Sequence, residues 1–196
     1  MSKKYDALPI IALSKENTYT HPEAMPELIH WDDKALNVMI NFETVRPALA
    51  RPKDLIDDTL VKMKSSGRLV MLVVDEDCVV GAVSSGDLQG AKPLKITQED
   101  RIKHSEITVK MVMTPREKLL TLNYQDLRFA KVGNLIKTLR ENNSRYALVV
   151  DIQEGSSEQR VHGLVNAYDI IKRLEHNPGA PMHEAHSILE LKKALD

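Results

Sequence analysis

Two short motifs place a carboxylate three residues after a polar side chain, directly behind an apolar segment. Asp87 follows Ser84 in this way, and Asp169 follows Asn166. An ionised carboxylate only accepts hydrogen bonds, and it can accept from two donors at once. Where a strand leads into a helix, the same group is suited to cap free backbone N–H groups. The motifs therefore predict either acceptors for a bound polar molecule or helix caps, and the two roles are compatible.

Catalytic chemistry is not indicated. The sequence shows no glycine-rich phosphate loop, no paired-carboxylate site and no nucleophile elbow. The single cysteine, Cys78, lies in a predicted buried strand, where a thiol packs as a small apolar group. His183 and His186 share a predicted helix face, but no nearby Cys or carboxylate completes an ordered set of zinc ligands. We therefore expect neither an enzyme nor a metal-binding protein.

Composition limits the class of protein. With 196 residues, 42% of them hydrophobic, the chain can bury a substantial core, and the 4% aromatic content predicts that this core is aliphatic. The 27 basic and 28 acidic residues nearly cancel, so no overall field attracts nucleic acid. The apolar stretch near the start is too short to span a membrane and precedes no cleavage site. These features predict a soluble cytoplasmic protein that binds neither nucleic acid nor a membrane.

An internal repeat organises most of the chain. A Val-Met pair at 38–39 recurs at 112–113, an offset of 74 residues, and the segment LVVD recurs with its aspartates at 75 and 151. The closing aspartates, at 87 and 169, lie 82 residues apart. The growing offset locates insertions in the second copy, mainly in the turn that contains GSSEQ, and surface turns tolerate such additions. A repeat of about 75 residues is typical of a duplicated small domain rather than a solenoid.

Each copy is predicted to contain a short strand, a helix, two strands and a second helix. In the first copy, Asp54 or Asp57 is placed to cap the helix and Gly67 to end it. The predicted divisions are an N-terminal arm (1–35), a first domain (36–92), a charged linker (93–107), a second domain (108–176) and a C-terminal helix (177–196). We expect part of the arm, around Trp31, to fold back over the body, and the C-terminal helix to pack on the body or on a second subunit.

The ordered landmarks resemble a known family. Each copy carries a Val-Met pair, a helix, LVVD and a closing segment, which reads GAVSSGD at 81–87 and GLVNAYD at 163–169. This series resembles a stand-alone tandem pair of CBS domains, the cystathionine-β-synthase-type module also called a Bateman module, over about residues 36–175. The resemblance implies a mixed α+β (α/β) fold in which two β-α-β-β-α domains pack about a pseudo-two-fold axis and leave two clefts. It also implies an adenosine-containing ligand (AMP, ADP, ATP or S-adenosylmethionine), no required cofactor, and a homodimer.

The resemblance assigns roles to residues of the first copy. A nucleotide needs an apolar slot for its base, an acceptor for the ribose hydroxyls and donors for its phosphates. Asp87 and, in the second copy, Asp169 match the family position that accepts from the ribose. Ser84 matches the hydroxyl that faces ribose or phosphate, and Gly86 would let a ligand approach the backbone closely.

The second copy departs from the pattern, because Asn166 replaces the hydroxyl residue and Tyr168 stands where the first copy has Gly86. We therefore expect the cleft with Ser84 to be the functional one. Arg145 precedes the second LVVD, where relatives often carry a basic residue that reaches phosphate, and Arg68 is its nearest counterpart. Solvated surface arginines are the alternative for both.

Two functions remain open on the sequence. The first is a regulatory sensor, in which an adenosine nucleotide binds between the copies and a separate effector protein reads the change. The alternative is a ligand-free interaction scaffold that keeps the CBS fold. The departure at Asn166 and Tyr168 motivates the scaffold, whereas Ser84 and Asp87 motivate the sensor.

Overall fold

The structure, a computed structural model, describes residues 28–152 and 159–175. The strands are β1 (Met39–Asn41), β2 (Leu49–Ala50), β3 (Val70–Asp75), β4 (Cys78–Ser84), β5 (Thr114–Pro115), β6 (Thr121–Asn123), β7 (Tyr146–Ile152) and β8 (Gln159–Asn166). The helices are α1 (Ile56–Ser66), α2 (Ser85–Gln89), α3 (Ala91–Glu99), α4 (Val109–Val112), α5 (Tyr124–Leu127), α6 (Val132–Glu141) and α7 (Ala167–Glu175). Short 3-10 turns span Ala35–Val38, His104–Glu106 and Arg116–Lys118.

The strands form two four-stranded sheets with the same internal plan, in the orders β2-β3-β4-β5 and β1-β8-β7-β6. Each sheet is built on an antiparallel pair, β3 with β4 and β7 with β8. The register shifts at Val73/Val74 in one pair and at Val149/Val150 in the other. In each sheet a short strand, β2 or β6, runs parallel to the first strand of that pair. The shared bulge positions show that the two repeats fold alike.

The leading strand of each repeat lies in the sheet of the other repeat. β1 pairs with β8, and β5 pairs with β4. The exchange continues along the chain, because Val132 N donates to Asp33 O and Ile56 N donates to Ile107 O. The sequence predicts both leading strands but not this exchange. The segment that leads into each repeat therefore packs on the sheet of the other repeat. The predicted domain ranges instead assign each such segment to its own repeat.

Two glycines make the exchange possible. A Cβ atom on Gly81 would lie 2.6 Å from Thr114 O in β5, and a Cβ atom on Gly163 would lie 2.8 Å from Ile40 O in β1. Real Cβ atoms do not approach backbone oxygens so closely. Both glycines occupy the same place in their repeats, each against the strand that comes from the other repeat.

The core has three parts, which arrange the fold as helices, sheet, sheet and helices. One cluster joins the first sheet to α1 and α2, and another joins the second sheet to α6 and α7. The third lies between the sheets and contains Val70, Leu72, Ala82, Tyr146, Leu148 and Leu164. The first three residues are the counterparts of the last three, because Leu72 pairs with Ala82 as Leu148 pairs with Leu164. This arrangement confirms the predicted α+β pair with pseudo-two-fold symmetry.

Two local predictions are wrong. Cys78 is exposed, because it is the first residue of β4 and follows directly on the turn from β3. Neither Asp54 nor Asp57 caps α1: the N-cap residue is Leu55, and its side chain makes no capping bond. Asp54 instead accepts from the N–H of Arg51 at 3.1 Å. Gly67 ends α1 in the left-handed conformation, with φ of 63°, as its position predicts.

The segment around Trp31 packs on the core formed by the second sheet, α6 and α7. Ile29 is fully buried in that core, Trp31 is partly buried against it, and Gly133 N donates to Trp31 O at 2.9 Å. The remainder of the arm, residues 155–158 of the GSSEQ turn and the predicted C-terminal helix with His183 and His186 lie outside the described residues. Within the described ranges, every helix falls short of the length and apolar character that a membrane span requires.

Candidate functional site

A groove of about 550 Å³ lies where the two repeats meet. We call it the first groove. From the first repeat and the residues that follow it come Ser84, Gly86, Asp87 and Lys92; from the second repeat and its leading strand come Thr114, Lys118, Leu119, Leu120, Arg145 and Tyr146. The structure thus brings the residues predicted for the favoured cleft together, and it adds two lysines and a tyrosine that the sequence reasoning did not select.

Ser84 and Asp87 form a reciprocal cap at the start of α2. The Asp87 amide donates to Ser84 Oγ at 3.2 Å, while Asp87 Oδ2 accepts from the Ser84 amide at 2.8 Å and from Ser84 Oγ at 2.7 Å. This is the capping role expected from the motif, shared between both residues. It uses one carboxylate oxygen of Asp87 and leaves the other, Oδ1, facing Lys92.

Lys92 is the direct partner of that second oxygen. Its ammonium donates to Asp87 Oδ1 at 2.6 Å and to Val112 O at 2.8 Å. The Asp87 side chain is largely buried, whereas Lys92 remains 45% exposed. The groove therefore contains an ion pair at the position where the resemblance places the ribose acceptor.

Arg145 reaches from the second repeat onto the helix of the first. A Cβ atom on Gly86 would lie 2.7 Å from Arg145 Nη1, so the guanidinium rests against the glycine backbone. The space that Gly86 leaves open is thus occupied by a side chain of the other repeat. Arg145 is itself exposed, and its guanidinium offers donors in the fixed geometry that matches phosphate oxygens.

Tyr146 provides a buried donor in the same groove. Its side chain is only 7% exposed, and its hydroxyl has no hydrogen-bond partner among the described residues. Burial raises the pKa of Tyr146 to about 12; Thr114 opposes the shift without offering good hydrogen-bond geometry, and the Asp87 charge adds to it. The hydroxyl is therefore protonated at neutral pH. Because an unpaired buried donor is unfavourable, an acceptor atom of a bound molecule would be stabilised there.

A second, smaller groove of about 240 Å³ contains the equivalent residues of the other repeat. Asn166, Asp169 and Tyr168 line it together with Arg68 and Lys172. Asn166 Oδ1 accepts from the Tyr168 amide at 3.0 Å, so the amide side chain caps α7 and Asp169 does not reciprocate as Asp87 does. Tyr168 is 56% exposed at the position of Gly86. The two grooves are related by the repeat but differ in chemistry.

Asp169, in the second groove, makes the stability of the folded chain depend on pH. Burial raises its pKa, although Arg173, Lys172 and Arg68 act in the opposite direction. Because the pKa of the folded state lies above that of the unfolded chain, ionisation of Asp169 as the pH rises favours unfolding. We expect Asp169→Asn to have a higher melting temperature than the wild type at pH 7, with the difference disappearing below about pH 4.

Thermal unfolding followed by circular dichroism from pH 3.5 to 8 measures this effect. Asp126→Asn, at an exposed position on α5, is the matched control and is expected to change the profile little. A wild-type profile that runs parallel to that of Asp169→Asn at all pH values would contradict the expectation.

A larger open groove, of about 950 Å³, lies away from all these residues. It is bordered by the loop before α1, by the turn after β3 and by Lys110, and none of the predicted site residues lines it. An ion pair between Lys62 and Asp54, at 3.1 Å, lies in it. Size alone therefore does not identify the site. The first groove is favoured because it contains Ser84, Asp87 and Arg145 together with the buried hydroxyl of Tyr146, which has no hydrogen-bond partner among the described residues. Among the described residues, no three His, Cys, Asp or Glu side chains are grouped as metal ligands.

The fold of this chain is similar to that of solved CBS-domain structures. The sequence matches no protein-family model and no curated protein. A conserved CBS domain protein from Thermoplasma acidophilum superposes with a TM-score of 0.53 at 17% identity, over 80% of this chain and 76% of that one. A conserved protein from Pyrococcus horikoshii gives 0.52 at 15% identity, over 78% and 99%. A Burkholderia ambifaria protein with CBS domains gives 0.50 at 17% identity, over 70% and 88%.

These structures share the overall fold of this chain. At such low identity they establish the fold and not the ligand. The chain therefore has the fold of a tandem CBS-domain protein.

Proposed function

We propose that this chain is a regulatory module that binds an adenosine nucleotide in the first groove. The observation that carries the proposal is the meeting of Ser84 and Asp87, from one repeat, with Arg145 and Tyr146, from the other, around one groove. The sequence resemblance predicts the first two residues and Arg145 for this purpose, and Tyr146 adds a buried donor without a partner.

Each part of a nucleotide has a suitable counterpart in the groove. Leu119 and Leu120 offer apolar surface for the base, and Asp87 is the acceptor for the ribose hydroxyls. Arg145 supplies phosphate donors, and the positive charges of Lys92 and Lys118 in the same lining outnumber the negative charge of Glu117. The role is regulatory rather than enzymatic in this proposal, because each of these groups serves to bind one part of the nucleotide.

A ligand in this position acts on the relative placement of the repeats. Because it contacts both, it stabilises whichever placement it fits better, and the population shifts by its differential affinity. We propose that an effector protein reads this shift. The expected homodimer and cytoplasmic location remain predictions, and size-exclusion chromatography with light scattering tests the dimer.

Calorimetry on purified, nucleotide-stripped protein tests the proposal. The protein is titrated with AMP, ADP, ATP and S-adenosylmethionine, and at least one of them is expected to bind. A ligand present at 100 times its dissociation constant should also stabilise the folded state by about 2.7 kcal/mol, visible as a thermal shift. No heat and no thermal shift with any of the four would contradict the proposal.

The alternative is a scaffold that keeps the fold without a ligand. Asn166 and the exposed Tyr168 favour it for the second groove, where the hydroxyl and glycine of the first groove are absent. A chain without residues 180–196 separates the two functions. Lost self-association with an unchanged nucleotide response supports the sensor, whereas no nucleotide response in either chain supports the scaffold.

A further inference from the structure

We infer that Lys92 makes the first groove selective for phosphorylated nucleosides. Its ammonium pairs with Asp87, the ribose acceptor, until the phosphate of a bound nucleotide replaces Asp87 as the partner of Lys92. The inference rests on the proposed function and specifies its ligand class. Lys92 is the second residue of α3, outside the motifs that carry the resemblance.

The hydrogen bonds of Asp87 leave a single oxygen for a ligand. Oδ2 is held by the amide and the hydroxyl of Ser84, at 2.8 and 2.7 Å, and these bonds form the cap of α2. Oδ1 is the remaining acceptor, and the Lys92 ammonium lies 2.6 Å from it. Each carboxylate oxygen accepts two hydrogen bonds, and Lys92 takes one of the two sites on Oδ1. The two ribose hydroxyls together need both sites, so they must compete with Lys92.

This competition is unfavourable for a neutral ligand. The carboxylate is charged in both cases, but only the ammonium also neutralises it, so a hydroxyl that displaces Lys92 leaves the largely buried Asp87 without a counter-ion. The ammonium would keep only its bond to Val112 O, at 2.8 Å, and lose its counter-ion. An uncharged nucleoside thus gains a ribose bond at the expense of a stronger one.

A phosphate group on the ligand removes this cost, because it offers Lys92 a new anionic partner. Lys92 is 45% exposed and lines the same groove as Lys118 and Arg145, so its ammonium can turn from Asp87 to a phosphate oxygen without leaving the groove. The carboxylate is then released to the ribose while the ammonium keeps an anionic partner.

Calorimetric titration of the full chain with AMP and with adenosine tests the inference. The wild type is expected to bind AMP at least about tenfold more tightly than adenosine. In Lys92→Met, affinity for AMP falls about tenfold while affinity for adenosine rises, because Asp87 is no longer occupied. Lys95→Met, which removes the same charge from an exposed site on α3, is expected to keep the wild-type ratio.

Opposite changes for the two ligands separate this role from a structural one. If Lys92→Met weakens both ligands equally, or leaves their ratio unchanged, the inference is wrong while the proposed function stands. If the wild type binds neither AMP nor adenosine, the inference is wrong, and the proposed function fails as well only if ADP, ATP and S-adenosylmethionine also give no heat. Lys92→Gln keeps a hydrogen-bond donor on this side chain and replaces Lys92→Met as the test if that variant unfolds. We expect Lys92→Gln to weaken AMP and strengthen adenosine by smaller factors. If it does not, the inference is wrong.

Discussion

Gly163→Ala is expected to lower the free energy of unfolding by about 2–3 kcal/mol, and Gly81→Ala by a similar amount. The added Cβ at 163 would lie 2.8 Å from Ile40 O and 2.8 Å from the Met39 side chain, both in β1. At 81 it would lie 2.6 Å from Thr114 O in β5. Because the obstacle is backbone, relief requires the exchanged strand to move away from its sheet. Urea unfolding followed by circular dichroism measures both losses.

Gly86→Ala is the matched control for these variants. Its Cβ would also meet an atom at short distance, Arg145 Nη1 at 2.7 Å, but this atom is the end of a flexible side chain. Alanine is moreover the better helix former within α2. We expect Gly86→Ala to unfold at the same urea concentration as the wild type or higher. Equal losses in all three variants would contradict the strand exchange as their cause.

Arg145→Gln is expected to weaken AMP binding by about 10- to 100-fold. The guanidinium forms charge-assisted hydrogen bonds to phosphate, and an amide cannot replace its charge or its paired donors. Since Arg145 is exposed and makes no core contact, its loss should leave the melting temperature close to that of the wild type. Gly86→Ala should also weaken AMP binding, because its methyl group displaces the guanidinium from its position.

Calorimetry with Arg128→Gln as the control isolates the effect of Arg145. Arg128 is an exposed arginine at the end of α5, outside both grooves, and its removal changes the net charge equally. The same loss of AMP affinity in both variants would show that only the overall charge matters, and would contradict a specific role of Arg145.

The architecture was predictable because the duplication leaves the same landmarks twice. The LVVD segments became β3 and β7, each continuing into an antiparallel partner, and each closing motif became the start of a helix. Local signals of this kind survive because strand, turn and cap depend on neighbouring residues.

The exchange of β1 and β5 could not be predicted in the same way. The repeated Val-Met pair predicts a short strand in each copy, but the partner of that strand is set by contacts far apart in sequence. β2 and β6, with two and three residues, are too short to show a periodic pattern and were not predicted. Only Gly81 and Gly163 carried a signal, as glycines inside apolar strands, which indicate a close backbone approach.

The site was predicted unevenly for similar reasons. Ser84 and Asp87 belong to one local motif, and Arg145 follows from the resemblance. Lys92 and Tyr146 reach the groove through the packing of the repeats, so a lysine at the edge of a charged segment and a tyrosine in an apolar strand gave no local signal. The ligand roles of Asn166 and Asp169, in the second groove, remain predictions.

A crystal structure of the chain grown with AMP tests the central claim most directly. We predict the nucleotide in the first groove, with its ribose on Asp87, its phosphate near Arg145 and Lys92, and Lys92 turned away from Asp87. A nucleotide bound instead in the larger groove beside Lys110, with the first groove unoccupied and the ion pair of Lys92 intact, would contradict it.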